Sequence, residues 1–254
     1  MLSALAAQLY TIRAFTQTAQ ELGASLKKIR AIGYTAVQIS GVGAIPDAEV
    51  KSMLDDNGLT VCITHVRAPW PWQDLDAIIA QHRLWNCEHV GIPSMPPEYR
   101  GSEDGFKQFA AQANSIGARL SQAGLTLSYH NHSFEFVRFG KRTGFDLLYE
   151  ETDPRYLKAL LDTYWIQHGG ADPVAWIKKM TNRMPVVHLK DMAILDGKQT
   201  MAEVGEGNMN WDAILRACKE AKVEWYAVEQ DVCQRDPFES LKISYENLKA
   251  MGQP

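Results

Sequence analysis

Residues 125–132 read LTLSYHNH, an alternating run that closes on two histidines. In an extended chain successive side chains point to opposite faces, so Thr126, Ser128, His130 and His132 share one face. The same form recurs downstream. LKALLDTYW (157–165) aligns Leu160 with Asp162, RMPVVHLKD (183–191) aligns Val186, His188 and Lys190, and WYAVEQD (225–231) aligns Ala227 with Glu229. Upstream, LTVCITHV (59–66) aligns Val61, Ile63 and His65, and three more β-type runs stand at ALAAQLY (4–10), TAVQIS (35–40) and EHVGIP (88–93). Helical stripes fill the gaps. Leu22, Leu26 and Ile29 form one, closed by Gly33; Phe106, Phe109, Ala113, Ile116 and Leu120 form a second, closed by Gly124; Phe238, Leu241, Tyr245 and Leu248 form a third. Eight strands in 254 residues give one strand–helix unit per about 32 residues, the period of an α/β fold of the (β/α)8 TIM-barrel type. One barrel domain is expected over residues 1–254. A doubly wound sheet would want a glycine-rich phosphate loop after its first strand, and TIRAFTQT (11–18) contains no glycine.

Hydrophobic residues make up 46% and charged residues 22%, a globular balance that excludes disorder and coiled coil. The net charge is −4 with no basic block, which argues against nucleic acid as a partner. No apolar run approaches the roughly 18 residues of a membrane span. The opening MLSALAAQLYTIR lacks a positively charged leader region, so a cytoplasmic protein is expected. Cys62, Cys87, Cys218 and Cys233 are scattered without a CxxC pair, the pattern of free thiols in a reducing compartment. A homo-oligomer is compatible with all of this, and the sequence leaves the oligomeric state open.

Barrels of this kind build their active sites at the C-terminal ends of the strands. There Asp162, His188 and Glu229, joined by one or two groups from HNHSFE (130–135), form a mixed nitrogen and oxygen set. Such a set suits one divalent ion of intermediate hardness, Mn²⁺ first, then Co²⁺, Zn²⁺ or Mg²⁺. Any one of these residues alone would more simply be a helix cap or a hydrogen-bonded core group; the recurrence at successive strand ends outweighs that reading. Lys190 lies on the inward face, placed to bind a substrate oxygen, against the plainer reading of a structural ion pair with Asp191 or a neighbour. His65 is a further substrate-contact candidate, with Gln8 and Gln38 weaker ones. Trp165, Trp70 and Trp72 could stack on an apolar face of a substrate or simply pack their loops. Arg183 starts its strand, at the opposite end of the barrel, and reads as structural. His82, His89, His168 and Glu206 receive no role.

The strand ends YHNH, LLDTYW, VVHLKD and AVEQD, with DTYW–GGADP (162–173) and VGEGNMNW (204–211), resemble the sugar phosphate isomerase/epimerase family of xylose-isomerase-like barrels over essentially the whole chain. The resemblance implies a metal-dependent enzyme acting on small carbohydrates, with one metal ligand from each of strands five to eight. Asp162, His188 and Glu229 match the last three positions. At the first, where the epimerases carry glutamate, this chain has His130, with His132 on the same face and Glu135 just beyond. The HxH pair is more similar to inosose dehydratases, which share the HLKD segment. His130, His132 and Glu135 therefore all stand as candidates for the fourth ligand or the second acid–base group, beside Glu229 as base.

The resemblance implies isomerisation or epimerisation through proton abstraction next to a carbonyl and an enediolate, with a lyase or dehydratase of a keto sugar, inosose or 3-keto-glycoside as the alternative. A histidine where the epimerases have glutamate is a competent acid near neutral pH, and so favours expulsion of a leaving group. A DNA-repair endonuclease of the same barrel outline would need further histidines and acids and a basic groove, which this chain lacks. A non-catalytic sugar-binding barrel would have no use for a retained acid, base and metal set, while a subunit that needs a partner for activity stays compatible with it.

Overall fold

The computed structural model describes residues 4–66 and 69–253. Its centre is a closed barrel of eight parallel strands: β1 Ala4–Gln8, β2 Ala36–Ile39, β3 Thr60–His65, β4 His89–Ile92, β5 Thr126–His130, β6 Lys158–Asp162, β7 Val186–Leu189 and β8 Trp225–Val228. Each strand pairs with its neighbours in sequence, and β8 returns to β1. Outside run α1 Ala19–Ile32, α2 Asp47–Asp56, α3 Leu75–Leu84, α4 Glu103–Gln122, α5 Gly144–Glu150, α6 Thr163–His168, α7 Pro173–Lys179, α8 Trp211–Glu220 and α9 Pro237–Ala250. The (β/α)8 barrel expected from the strand period is the fold observed.

Local chemistry places these elements. A capping box between Thr18 and Glu21 starts α1, its stripe Leu22, Leu26 and Ile29 is buried, and Gly33 ends it at φ 126°. In α4 the Ser102 side chain accepts from Gly105 N, and Phe106, Phe109, Ala113, Ile116 and Leu120 face the barrel. Strand and helix thus meet through one large apolar layer.

Inside the barrel a second, smaller apolar layer contains Ala6, Ala36, Ile63, Leu160, Val186 and Ala227. Two residues further along the same strands, on the same face, stand Gln8, Gln38, His65, Asp162, His188 and Glu229. The polar layer therefore rests directly on an apolar plug. Register completes the placement: Asp162 lies beside His188 across β6 and β7, and His188 beside Ala227 across β7 and β8. At β4, Gly91 is required by close packing, since a Cβ there would stand 2.3 Å from the Thr64 carbonyl oxygen and 3.0 Å from the His65 ring.

The strand runs end sooner than their alternation suggests. The 157–165 run stops at Asp162, whose Oδ1 accepts from Trp165 N and caps α6. After β7 the chain passes Lys190 and enters a hairpin of Asp191–Leu195 and Lys198–Ala202. Asp191 is fully buried and is not the partner of Lys190. It accepts from the backbone of Met192, Gly205, Gly207 and Met209, and from the indole N–H of Trp211. One carboxylate therefore pins the whole 204–211 loop. Arg183 sits where expected, at the N-terminal end, holding the carbonyls of Tyr149, Thr152 and Leu157.

Asp191→Ala would strand several buried donors together. It should lower unfolding stability by roughly 3 kcal/mol or more, with Asp191→Asn intermediate. Urea denaturation checks this; a loss below about 1 kcal/mol for the alanine variant would show that the loop is held by other means.

Candidate active site

His130, Asp162, His188 and Glu229 each offer one ligand atom, all four within 4.8 Å of one another, and all four residues are buried. Asp162 Oδ2 stands 3.2 Å from His130 Nε2 and 3.7 Å from His188 Nδ1; His188 Nδ1 stands 2.9 Å from Glu229 Oε2. The Lys190 ammonium completes the group, 2.9 Å from Asp162 Oδ2, 2.8 Å from Glu229 Oε2 and 3.0 Å from Asp231 Oδ2.

The ring nitrogens facing away from the cluster decide what faces into it. His130 Nδ1 lies 3.0 Å from the Pro93 carbonyl, which only accepts, so the hydrogen is on Nδ1 and Nε2 turns a lone pair toward Asp162. His188 Nε2 lies 2.7 Å from Gln38 Oε1, so its Nδ1 lone pair turns toward Glu229. His188 Nδ1 and Glu229 Oε2 form no hydrogen bond with each other despite their separation. With neutral rings acceptor would face acceptor at both histidines, so each pair holds either an added proton, as the 3.2 Å His130 Nε2–Asp162 Oδ2 bond allows, or a cation. A carbonyl behind each imidazole is the support that metal-ligating histidines use. Three carboxylates surround the one ammonium of Lys190, which leaves the excess negative charge a divalent ion would neutralise. The donor set thus fits such an ion.

Ionisation follows from the same packing. Burial alone would raise the pKa of Asp162 and Glu229, but Lys190 and the adjacent histidines outweigh it and hold both carboxyls well below the usual range. Burial opposes charge on His188 and Lys190 too, yet the neighbouring carboxylates win and raise both. Asp231 is raised, first by burial and then by the charge of Glu229. His65 is lowered well below its ordinary value by burial and by His130, and His132 is pushed down to about 3 by the same two causes. Both are therefore neutral imidazoles at physiological pH.

Among the residues singled out in the sequence, the structure unites His130, Asp162, His188, Lys190 and Glu229. His65 packs beside them, its ring centroid 5.2 Å from that of His130 and 5.6 Å from that of His188. His132 stands edge-on to His130 and against Trp165, whose ring lies 5.8 Å from Lys190 Nζ. Glu135 is not brought into the set: the Tyr129 hydroxyl donates to one carboxylate oxygen at 2.6 Å and His132 N to the other at 2.9 Å. Trp70 and Trp72 pack edge to face, with the Trp70 indole N–H on Gln112. Gln8 and Gln38 orient two of these side chains: Gln8 Nε2 donates to Glu229 Oε1 at 2.9 Å, as Gln38 supports His188. Asp231, which the sequence reading left without a role, has the parity of Ala227 and Glu229, so continuing the alternation two residues past Glu229 would have found it.

Burial raises the Glu135 pKa to about 7, against the lowering effect of its Tyr129 and His132 hydrogen bonds. A carboxyl whose pKa is raised on folding binds its proton more tightly in the folded state. Its contribution is fully present below about pH 4.5 and is lost as pH rises toward 7. Glu135→Gln should remove that part of the decline, a change on the order of 3 kcal/mol. Denaturation midpoints of the two proteins at pH 5 and pH 8 test it; parallel pH profiles would refute the assignment.

Comparison with known proteins follows the same lines. Residues 26–251 match the family model described as xylose isomerase-like TIM barrel. An inosose dehydratase from Clostridium perfringens is 27% identical over 165 residues, 58% of this chain and 55% of that protein, so the chain matches little more than half of the relative's length. A sugar phosphate isomerase/epimerase structure from Parabacteroides distasonis superposes with a TM-score of 0.80 at 24% identity, covering 98% of this chain and 95% of that one. A probable 3-DHS dehydratase from Bacillus anthracis superposes with a TM-score of 0.75 at 14% identity, covering 98% and 99%. At those identities the two structures speak for the fold. The family match spans most of the sequence, and this chain belongs to the xylose isomerase-like TIM barrel family.

Proposed function

We propose that this protein is a divalent-metal-dependent enzyme that removes a proton from a carbon next to a carbonyl in a sugar or keto sugar, and so isomerises or epimerises it. The observation that carries the reading is the convergence of His130, Asp162, His188 and Glu229 on one buried point, with the outward nitrogen of each imidazole held by a carbonyl oxygen. A divalent ion held there supplies Lewis-acid polarisation of the substrate's carbonyl and hydroxyl oxygens. Mn²⁺ suits the two-nitrogen, two-carboxylate set best, followed by Co²⁺, Zn²⁺ and Mg²⁺.

The chain's own groups supply the rest. Glu229 is ionised and held by Gln8 and Lys190, so it is a carboxylate base fixed in direction. Lys190 offers a buried ammonium to negative charge developing on a substrate oxygen. His65 and His132 are neutral and carry buried ring nitrogens without partners, free to bond sugar hydroxyls. Trp165, also with an unpartnered indole N–H, closes the side of β6.

Elimination is the second reading, and a specific observation favours it. Epimerisation by two facing carboxylates needs a second acid opposite Glu229. Glu135 is bonded elsewhere, and three strands round the barrel from Glu229 stands His130. One carboxylate base with an imidazole across from it suits loss of a hydroxyl or alkoxide, the type of reaction named for the inosose dehydratase relative.

Asp162→Ala and His188→Ala should each abolish stoichiometric metal, read by elemental analysis of purified protein, and reduce activity at least a hundredfold. Full metal occupancy in either variant would remove the assignment. With Mn²⁺ and a keto sugar in D2O, the wild type should place deuterium on the carbon beside the carbonyl or in the elimination product. Glu229→Gln should slow that exchange by orders of magnitude. Exchange at the wild-type rate by a metal-loaded variant would move the base to a histidine.

A further inference from the structure

Beside the buried cluster lies a cavity of about 680 Å³ beyond the ends of β2 and β3, in front of α2 and α3. Its walls are chiefly apolar, including Ile39, Ile45, Val50, Val66, Ile78 and Trp85. The indole N–H of Trp85 is already bonded to the Asp47 carbonyl, so that ring offers the cavity its apolar surface. A free pyranose would fit poorly, because this mostly apolar wall, interrupted by Gln17, Ser40, Asp47, Thr64 and Gln81, cannot satisfy all of its hydroxyls. The cluster, by contrast, is surrounded by polar groups.

Two residues belong to both places. Pro93 lines the cavity while its carbonyl fixes His130, and His65 lines the cavity while its ring packs on His130 and His188. His65 Nδ1 lies 3.2 Å from the Ser40 hydroxyl. With that hydroxyl donating, Nε2 carries the ring hydrogen, and Nε2 is a buried atom without a partner. An unused donor therefore stands at the border between a polar site and an apolar chamber.

We propose that the cavity is a subsite for an apolar, aryl-type substituent carried by the sugar substrate, and that His65 Nε2–H donates to the oxygen linking sugar and substituent. The inference rests on the sugar reading above and narrows it: the substrate is a glycoside or ether of a sugar, larger than a free monosaccharide. The sugar lies over β5 to β8, and its apolar arm points across His65 toward α3. Ala77, in the first turn of α3, lines the chamber and is exposed, so a larger side chain there fills the chamber without disturbing the core.

Binding can be read without turnover. Calorimetric titration of the metal-loaded protein with phenyl β-D-glucopyranoside and methyl β-D-glucopyranoside should show about tenfold or more tighter binding of the phenyl compound. Ala77→Phe should erase that difference while leaving deuterium exchange on an unsubstituted keto sugar unchanged. His65→Ala should weaken both glycosides and leave free phenol unaffected. Equal affinities, no binding of either glycoside, or a phenyl preference that survives Ala77→Phe would each overturn the proposal. Failure of the proposed chemistry is separate: absent exchange in D2O would leave the phenyl-to-methyl ratio readable.

Discussion

Asp162 and Glu229 are two carboxylates buried at the mouth of a closed barrel, and the surrounding structure is arranged to keep them charged. Burying an ion costs several kcal/mol even after relaxation, and two like charges side by side cost more. Lys190 meets this demand by placing its ammonium within 3.0 Å of Asp162, Glu229 and Asp231. Gln8 and the Trp165 backbone N–H bond the carboxylate oxygens that Lys190 does not reach. The imidazoles of His130 and His188 close the ring. Because three carboxylates still exceed one ammonium, the site favours a further cation. The negative excess that makes the cluster expensive is the same property that would select a divalent ion.

The barrel makes this tolerable because it divides the work between two layers. The inner plug of Ala6, Ala36, Ile63, Leu160, Val186 and Ala227 excludes water from beneath, and the parallel register sets the polar layer directly above it. Shifting one strand by a single residue would turn its polar side chain out of the barrel and an apolar neighbour in. The buried charges thus depend on register, and register depends on the apolar plug and on close approaches such as that at Gly91.

That dependence explains what could be read in advance. Period-two alternation identifies His130, Asp162, His188, Lys190 and Glu229 because each follows an inward residue by two, a local property of the chain. It fails where the strand stops. Asp162 both ends β6 and caps α6, so the run through Trp165 overshoots. Asp231 keeps the parity of Glu229 and reaches Lys190 from beyond β8, whereas Glu135 turns into the wall toward Tyr129 through a short helical turn. Lys190 and Asp191 are neighbours in sequence but serve different partners, because the hairpin after β7 sends one to the cluster and the other to the 204–211 loop. Gln8 and Gln38 were legible as inward residues, while their bonds to Glu229 and His188 come from the far side of the barrel.

On the proposed reading, histidine at position 130 changes more than a ligand. A glutamate there would add another negative charge to a cluster that already carries an excess, and would offer a second base across from Glu229. An imidazole adds no negative charge and offers no second carboxylate. The charge of a bound divalent ion is then less fully cancelled by its ligands, which strengthens its pull on substrate oxygens. At the same time Glu229 is the carboxylate left to move a proton, since Asp162 caps α6 and Asp231 pairs with Lys190. Stronger polarisation with a single base shifts the balance away from returning a proton on the opposite face, and toward letting a substituent leave from the neighbouring carbon. The His65 donor and the apolar chamber behind it stand on the side where such a substituent would be held.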